Sequence, residues 1–104
     1  MKRGEVWWAS VPKPVGRRPV LLLSRNAAYS VRSAVTVAPI TRTVLDIPVE
    51  VPLGPEDGLP RDCVVNLDSI FTVSKKRLER NLTTLSPDKI RSVEQAIKFA
   101  LDLH

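Results

Sequence analysis

A small β barrel or strongly curved sheet, capped by one amphipathic helix at its C-terminal end, is the fold that this sequence predicts. The class is mainly β with helices, an α+β chain of five to six short strands. Short apolar runs, rich in branched and aromatic residues, recur up to Leu85, and proline, glycine or polar residues close each one. Apolar residues at helical spacing follow only after Ser86. The 104 residues fit a single domain, 1–104, with no internal repeat and no low-complexity segment.

Glu5-Val6-Trp7-Trp8-Ala9-Ser10-Val11 reads as the first strand. Adjacent tryptophans on a strand point to opposite faces, so one is expected in the core and the other under a second subunit. Pro12 to Gly16 is a loop, broken by two prolines and a glycine. Pro19 to Ser24 is a continuous apolar run, as in a strand buried in a small β core. Pro19 fits at its first position because proline has no N–H for the ladder. Arg25 to Ser30 suits one helical turn, and Ala34 to Thr41 a third strand. Pro39 is expected to force a bulge or to end that strand.

Arg42 to Asp46 is a polar connection. Ile47 to Leu53 carries Pro48 and Pro52 on one side of an extended chain, the mark of an edge strand. Gly54 to Pro60 is loop, and Cys63 to Val73 is the longest strand expected. Ser74 to Leu78 is a basic turn, and Asn81 to Leu85 one more short strand. Ser86-Pro87-Asp88 opens a helix with Ser at the N-cap, Pro at the first position and an acid in the first turn. Ile90, Val93, Ile97, Ala100 and Leu101 form its apolar face.

A net charge of +5, spread along the chain, favours an anionic partner met by a folded basic face. The single cysteine, Cys63, excludes an internal disulfide and points to a reducing compartment. Gly4 and Glu5 follow Met1-Lys2-Arg3 at once, so no secretory signal is expected. No stretch approaches the ~20 apolar residues of a membrane span. A cytoplasmic protein with no membrane contact is the expectation. His104 is the only histidine and the last residue, so a histidine pair and a Ser/His or Cys/His triad are excluded. One Cys and one His make no zinc site, and no glycine-rich phosphate loop is present. No metal and no cofactor are expected.

Arg17 and Arg18 sit at the mouth of the apolar run Pro19 to Ser24, beside Gly16, which lets the loop turn sharply. Cations anchored on a strand end can meet an anion at a fixed position. The residues alone equally allow solvated loop charges. Thr41 closes the third strand and reads by itself as a local hydrogen-bonding residue. Asp68 and Ser69 interrupt a long apolar stretch, where Asp68 reads by itself as a satisfied carboxylate. Cys63 reads as a small core residue.

Four blocks carry a resemblance: Lys2-Arg3-Gly4-Glu5-Val6-Trp7; Gly16-Arg17-Arg18-Pro19-Val20-Leu21-Leu22-Leu23-Ser24; Val37-Ala38-Pro39-Ile40-Thr41; and Leu67-Asp68-Ser69-Ile70-Phe71-Thr72-Val73 with Lys75-Lys76-Arg77-Leu78. In this order they resemble the MazF/PemK family of toxin endoribonucleases and cover nearly the whole chain. The resemblance implies an SH3-like β barrel with a terminal helix, usually a homodimer. It further implies metal-independent cleavage of single-stranded RNA at short sequences, and silencing by a cognate antitoxin. By motif, the catalytic pair falls on Arg18 and Thr41. RNA contacts are expected at Lys13, Arg17, Arg42, Asp68 and Ser69. The loop before Arg17 is shorter than the family's, and Ser69 stands where the family often has glutamine.

In that reading the RNA's own 2′-hydroxyl attacks the adjacent phosphate, and the protein orients the attack and stabilises the phosphorane. The substrate is messenger, ribosomal or transfer RNA. The antitoxin is expected to bring an acidic, flexible segment to the same basic surface. Two alternatives stand beside it: a non-catalytic SH3-like toxin that poisons a protein such as gyrase, and a plain RNA-binding barrel.

Overall fold

The computed structural model describes all 104 residues, Met1–His104. Seven strands and two helices follow in the order β1 (Glu5–Ser10), β2 (Arg17–Leu22), α1 (Ala28–Val31), β3 (Ala34–Thr41), β4 (Glu50–Leu53), β5 (Cys63–Asn66), β6 (Phe71–Ser74), β7 (Leu78–Thr84) and α2 (Pro87–Ala100). Single 3-10 turns occupy Pro55–Asp57 and Lys75–Arg77. Every strand pairing is antiparallel. The order across the sheet is β4-β5-β3-β2-β1-β7, with β6 added along β3.

The strand count is seven, where five to six were expected. The stretch Cys63 to Val73 is two strands, because β3 accepts a partner twice. β6 pairs with its first half, Ala34 to Val37, and β5 with its end, Ile40 and Thr41. The turn between them is closed by the Asp68 amide, which donates to Asn66 Oδ1 at 2.9 Å. Pro39 lies in the gap between the two pairings and faces Val20 of β2. β3 therefore neither bulges nor stops there, and the irregularity falls on the partner side.

Three further boundaries differ from expectation. β2 runs from Arg17 to Leu22, not Pro19 to Ser24, because β1 pairs Ser10 with Arg17 and Ala9 with Arg18, so Pro19 stands third in the strand. The edge strand begins at Glu50, not Ile47. The buried Glu50 carboxylate accepts from the amides of Leu45 (3.0 Å) and Asp46 (2.9 Å), and Asp46 turns the chain at φ 56°. β4 does lie at the sheet edge, with Pro52 exposed. β7 begins at Leu78 rather than Asn81, since the Lys75–Arg77 turn feeds it directly.

The sheet separates two apolar clusters. Val6, Leu21, Ala38, Ile40, Val65 and Leu67 join one, with Val93 and Ala96 of α2. Ala9, Val20, Leu22, Val35, Val37 and Val73 join the other. Alternate residues of β2 and β3 go to opposite sides, which is why the run after Pro19 needs no polar position. The tryptophans take opposite faces, as expected of neighbours on a strand. Trp7 packs with Ala9 and Val11 against the second cluster, while Val6 and Trp8 face the other side, where Trp8 stays half-buried beside Ile40 and Cys63.

α2 starts as its cap predicts: Ser86 Oγ accepts from the Lys89 amide at 3.2 Å, and Pro87 follows. Its packing face is Ile90, Val93, Ala96, Ile97 and Ala100. Leu101, expected on that face, is exposed because the helix ends at Ala100. Gly58, at φ 92°, brings the turn after β4 against β7, where Thr83 Oγ1 donates to the Asp57 carbonyl at 3.0 Å. A Cβ at Gly58 would come 2.7 Å from the Thr83 Cβ. Gly58→Ala is therefore expected to cost about 1–3 kcal/mol, from the left-handed φ and the clash together. The urea midpoint should fall with the m-value unchanged.

Candidate active site

The β2–β3 ladder aligns Val20 with Pro39, Leu21 with Ala38 and Leu22 with Val37. Continued past Val20, the same register sets Arg18 across from Thr41. Both residues line one open cleft of about 780 Å³. The Arg18 Nε donates to the Val15 carbonyl at 2.8 Å, which fixes the guanidinium against the loop it follows. Its two terminal nitrogens have no protein partner, so the planar fork is available to an anion. The Thr41 Oγ1 accepts from the Thr43 amide at 3.2 Å, which leaves its own O–H to donate.

Arg17, Arg42 and Arg61 also line the cleft, with Trp8, Pro19, Ile40, Thr43, Leu59, Pro60 and Cys63. Four of the lining residues are arginines and none is acidic, so the field at the mouth is positive. Arg17 is the most constrained of the others. Its Nε donates to Glu79 Oε1 at 3.0 Å, and its Cζ lies 4.4 Å from the centroid of the Trp8 ring. The Trp8 Nε1–H is buried with no hydrogen-bond partner, so packing and Arg17 alone orient that ring.

The cleft thus gathers Arg17, Arg18, Thr41 and Arg42 of the residues the sequence singled out. Lys13 is exposed in the loop before β2 and does not line it. Asp68 and Ser69 are exposed in the β5–β6 turn, also outside the lining. Arg61 and Glu79 went unread in the sequence, and Trp8, one of two tryptophans expected to divide between the core and a second subunit, lies instead in the cleft. Arg61 had a legible signal, since it precedes the apolar run Cys63 to Val65 as Arg18 precedes Pro19 to Leu22. Cys63 is buried at the cleft floor. Burial pushes its thiol above the ordinary range, and the carboxylates of Asp57, Asp62 and Glu56 add to the effect. It stays protonated and is no nucleophile.

A family model described as PemK-like, MazF-like toxin of type II toxin-antitoxin system matches residues 2–101. The chain belongs to the PemK/MazF toxin family. A Mycobacterium tuberculosis relative named "Probable endoribonuclease MazF5" is 42% identical over 101 residues, spanning 96% of this chain and 92% of that protein. The solved structure of the Mycobacterium tuberculosis toxin MazF-mt6 superposes with a TM-score of 0.89 at 33% identity, covering 96% of this chain and 98% of that one. An endoribonuclease in complex with its cognate antitoxin, from a mycobacterial species, superposes at 0.90 with 31% identity, covering 100% and 97%. The small barrel with a terminal helix is the architecture of these MazF toxins. No helix is long and apolar enough to cross a membrane.

The raised Cys63 thiol has a measurable consequence. Iodoacetamide is expected to label it far more slowly than a free cysteine at neutral pH. A folded-state pKa above the unfolded value gives stability that is complete at lower pH and declines as pH climbs through the raised value. Alkylation followed by mass spectrometry against pH checks this. Rapid labelling at pH 7 in the folded protein would contradict it.

Proposed function

We propose that this protein is the toxin of a type II toxin–antitoxin pair: a metal-independent endoribonuclease that cuts single-stranded RNA at a short sequence. The observation that carries the reading is the Arg18–Thr41 pair, set on adjacent strands over an arginine-lined cleft without an acid. The relatives named as endoribonucleases favour cleavage over a non-catalytic poison.

The 2′-hydroxyl of the nucleotide 5′ to the scissile bond attacks the adjacent phosphorus. The P–O5′ bond breaks, leaving a 2′,3′-cyclic phosphate and a 5′-hydroxyl. Arg18 offers two donors to the phosphate oxygens as negative charge builds on the phosphorane. Thr41 donates to a third oxygen or orients the attacking hydroxyl. Arg18 remains protonated, so its role is electrostatic and not that of a base. Arg42 and Arg61 extend the basic surface along the strand of RNA. The working form is a cytoplasmic homodimer. The cognate antitoxin inhibits by laying an acidic, flexible segment over the same arginines, in competition with RNA.

Arg18→Ala is expected to lower the cleavage rate by on the order of 10²–10³-fold, as for one preorganised donor removed, with the fold intact by circular dichroism. Near wild-type rates would remove Arg18 from the chemistry. Cleavage should persist in EDTA and fail when a single 2′-deoxynucleotide stands 5′ to the cut. Equal cutting of that substrate would mean that water is the nucleophile.

The pH profile follows from the lining. The lining holds no carboxylate and no histidine, and burial raises its one thiol, Cys63. The single-turnover rate is expected to rise with pH across roughly 5 to 8 as the 2′-hydroxyl loses its proton more readily, without the bell of an acid–base pair. A clear bell in that window would require a group outside this lining.

A further inference from the structure

Arg17 is not arranged as a free phosphate clamp. Glu79 meets its Nε at 3.0 Å, so a carboxylate already engages one edge of the guanidinium. Trp8 lies under the guanidinium at 4.4 Å. Both partners come from the sheet, Trp8 from β1 and Glu79 from β7. Arg17 still keeps 53% of its side chain exposed, at the mouth of the cleft. A flat, delocalised cation that rests one face on an indole presents the other face to a further π system.

We propose that Trp8, Arg17 and Glu79 form a base-stacking platform. A nucleobase of the single-stranded RNA, splayed out beside the scissile phosphate, stacks on the outer face of Arg17, and Glu79 is the positioning residue that holds the guanidinium there. The inference rests on the endoribonuclease reading. Every base has a π face, so the platform adds affinity and register along the strand more than base identity. A phosphate contact by Arg17 would behave differently, because it would respond to salt and not to loss of a base.

The test uses the full chain and a short RNA carrying one 2′-deoxynucleotide 5′ to the cut, so that it binds without being cleaved. Each base is replaced in turn by an abasic residue. One position is expected to lose affinity by on the order of tenfold in the wild type and to lose nothing further in Arg17→Ala. Glu79→Gln keeps an acceptor for Nε and should retain that abasic effect, while Glu79→Ala should shrink it. The slope of log K against log salt should match wild type in Arg17→Ala. A slope shallower by about 0.7, the mark of one lost phosphate contact, with no Arg17-dependent abasic position, would overturn the platform. A wild-type protein that cuts RNA but gives a flat abasic scan overturns the platform alone. One that neither binds nor cuts RNA overturns the endoribonuclease reading itself.

Discussion

The antiparallel register between β2 and β3 is the constraint on which both the core and the cleft depend. Leu21 pairs with Ala38 in one apolar cluster, while Val20 and Leu22 join Val35 and Val37 in the other. A slip of one residue would send every one of these side chains to the wrong side. The same slip would take Arg18 away from Thr41. Packing and site geometry are therefore specified by the same pairs, so the core protects the alignment of two exposed-end residues that contribute little to stability themselves.

Four arginines around one cleft repel each other, and the fold answers that in distinct ways. Arg18 is tied to a neutral carbonyl, which orients it and leaves its full charge for a ligand. Arg17 is tied to a carboxylate and a ring, which fixes it and engages one edge of its guanidinium. Glu56, Asp57 and Asp62 do not line the cleft, but they act on Cys63 within it and raise its thiol. The net field at the mouth stays positive, and it speeds encounter with any anionic chain at low salt. On the function proposed above, RNA and an acidic protein segment would be drawn by the same field and would compete without a second site.

Local chemistry made several elements legible. The α2 cap, the edge position of β4 and the basic turn before β7 were all readable from single residues: Ser86, Pro52 and the Lys75–Arg77 run. The Arg18–Thr41 pair was legible only through motif resemblance, because each residue alone reads as an ordinary strand end. What stayed hidden was set by distant partners. The split between β5 and β6 depends on β3 offering two pairing segments, which no apolar pattern in Cys63 to Val73 announces. Trp8 meets the cleft only because β2 and β3 bring Arg17 and Thr41 beside it, and Glu79 reaches Arg17 across 62 positions of sequence. Periodicity describes a strand, not the neighbour that bends it.

The edge of the sheet reaches the cleft through one loop. Thr41 can direct its hydroxyl proton outward because the Thr43 amide occupies one of its lone pairs. Thr43 belongs to the segment between β3 and β4, and the far end of that segment is held by Glu50, whose carboxylate takes the amides of Leu45 and Asp46. Glu50 is buried, so those two donors are what offset the cost of placing a carboxylate there. The loop's conformation, and with it the acceptor side of Thr41, is fixed by a residue that touches nothing in the cleft. β4 is the first residue stretch after the loop, and Val51 and Leu53 bind it into the main cluster. A short edge strand that adds little to the sheet thereby anchors the Thr41 hydroxyl in the cleft.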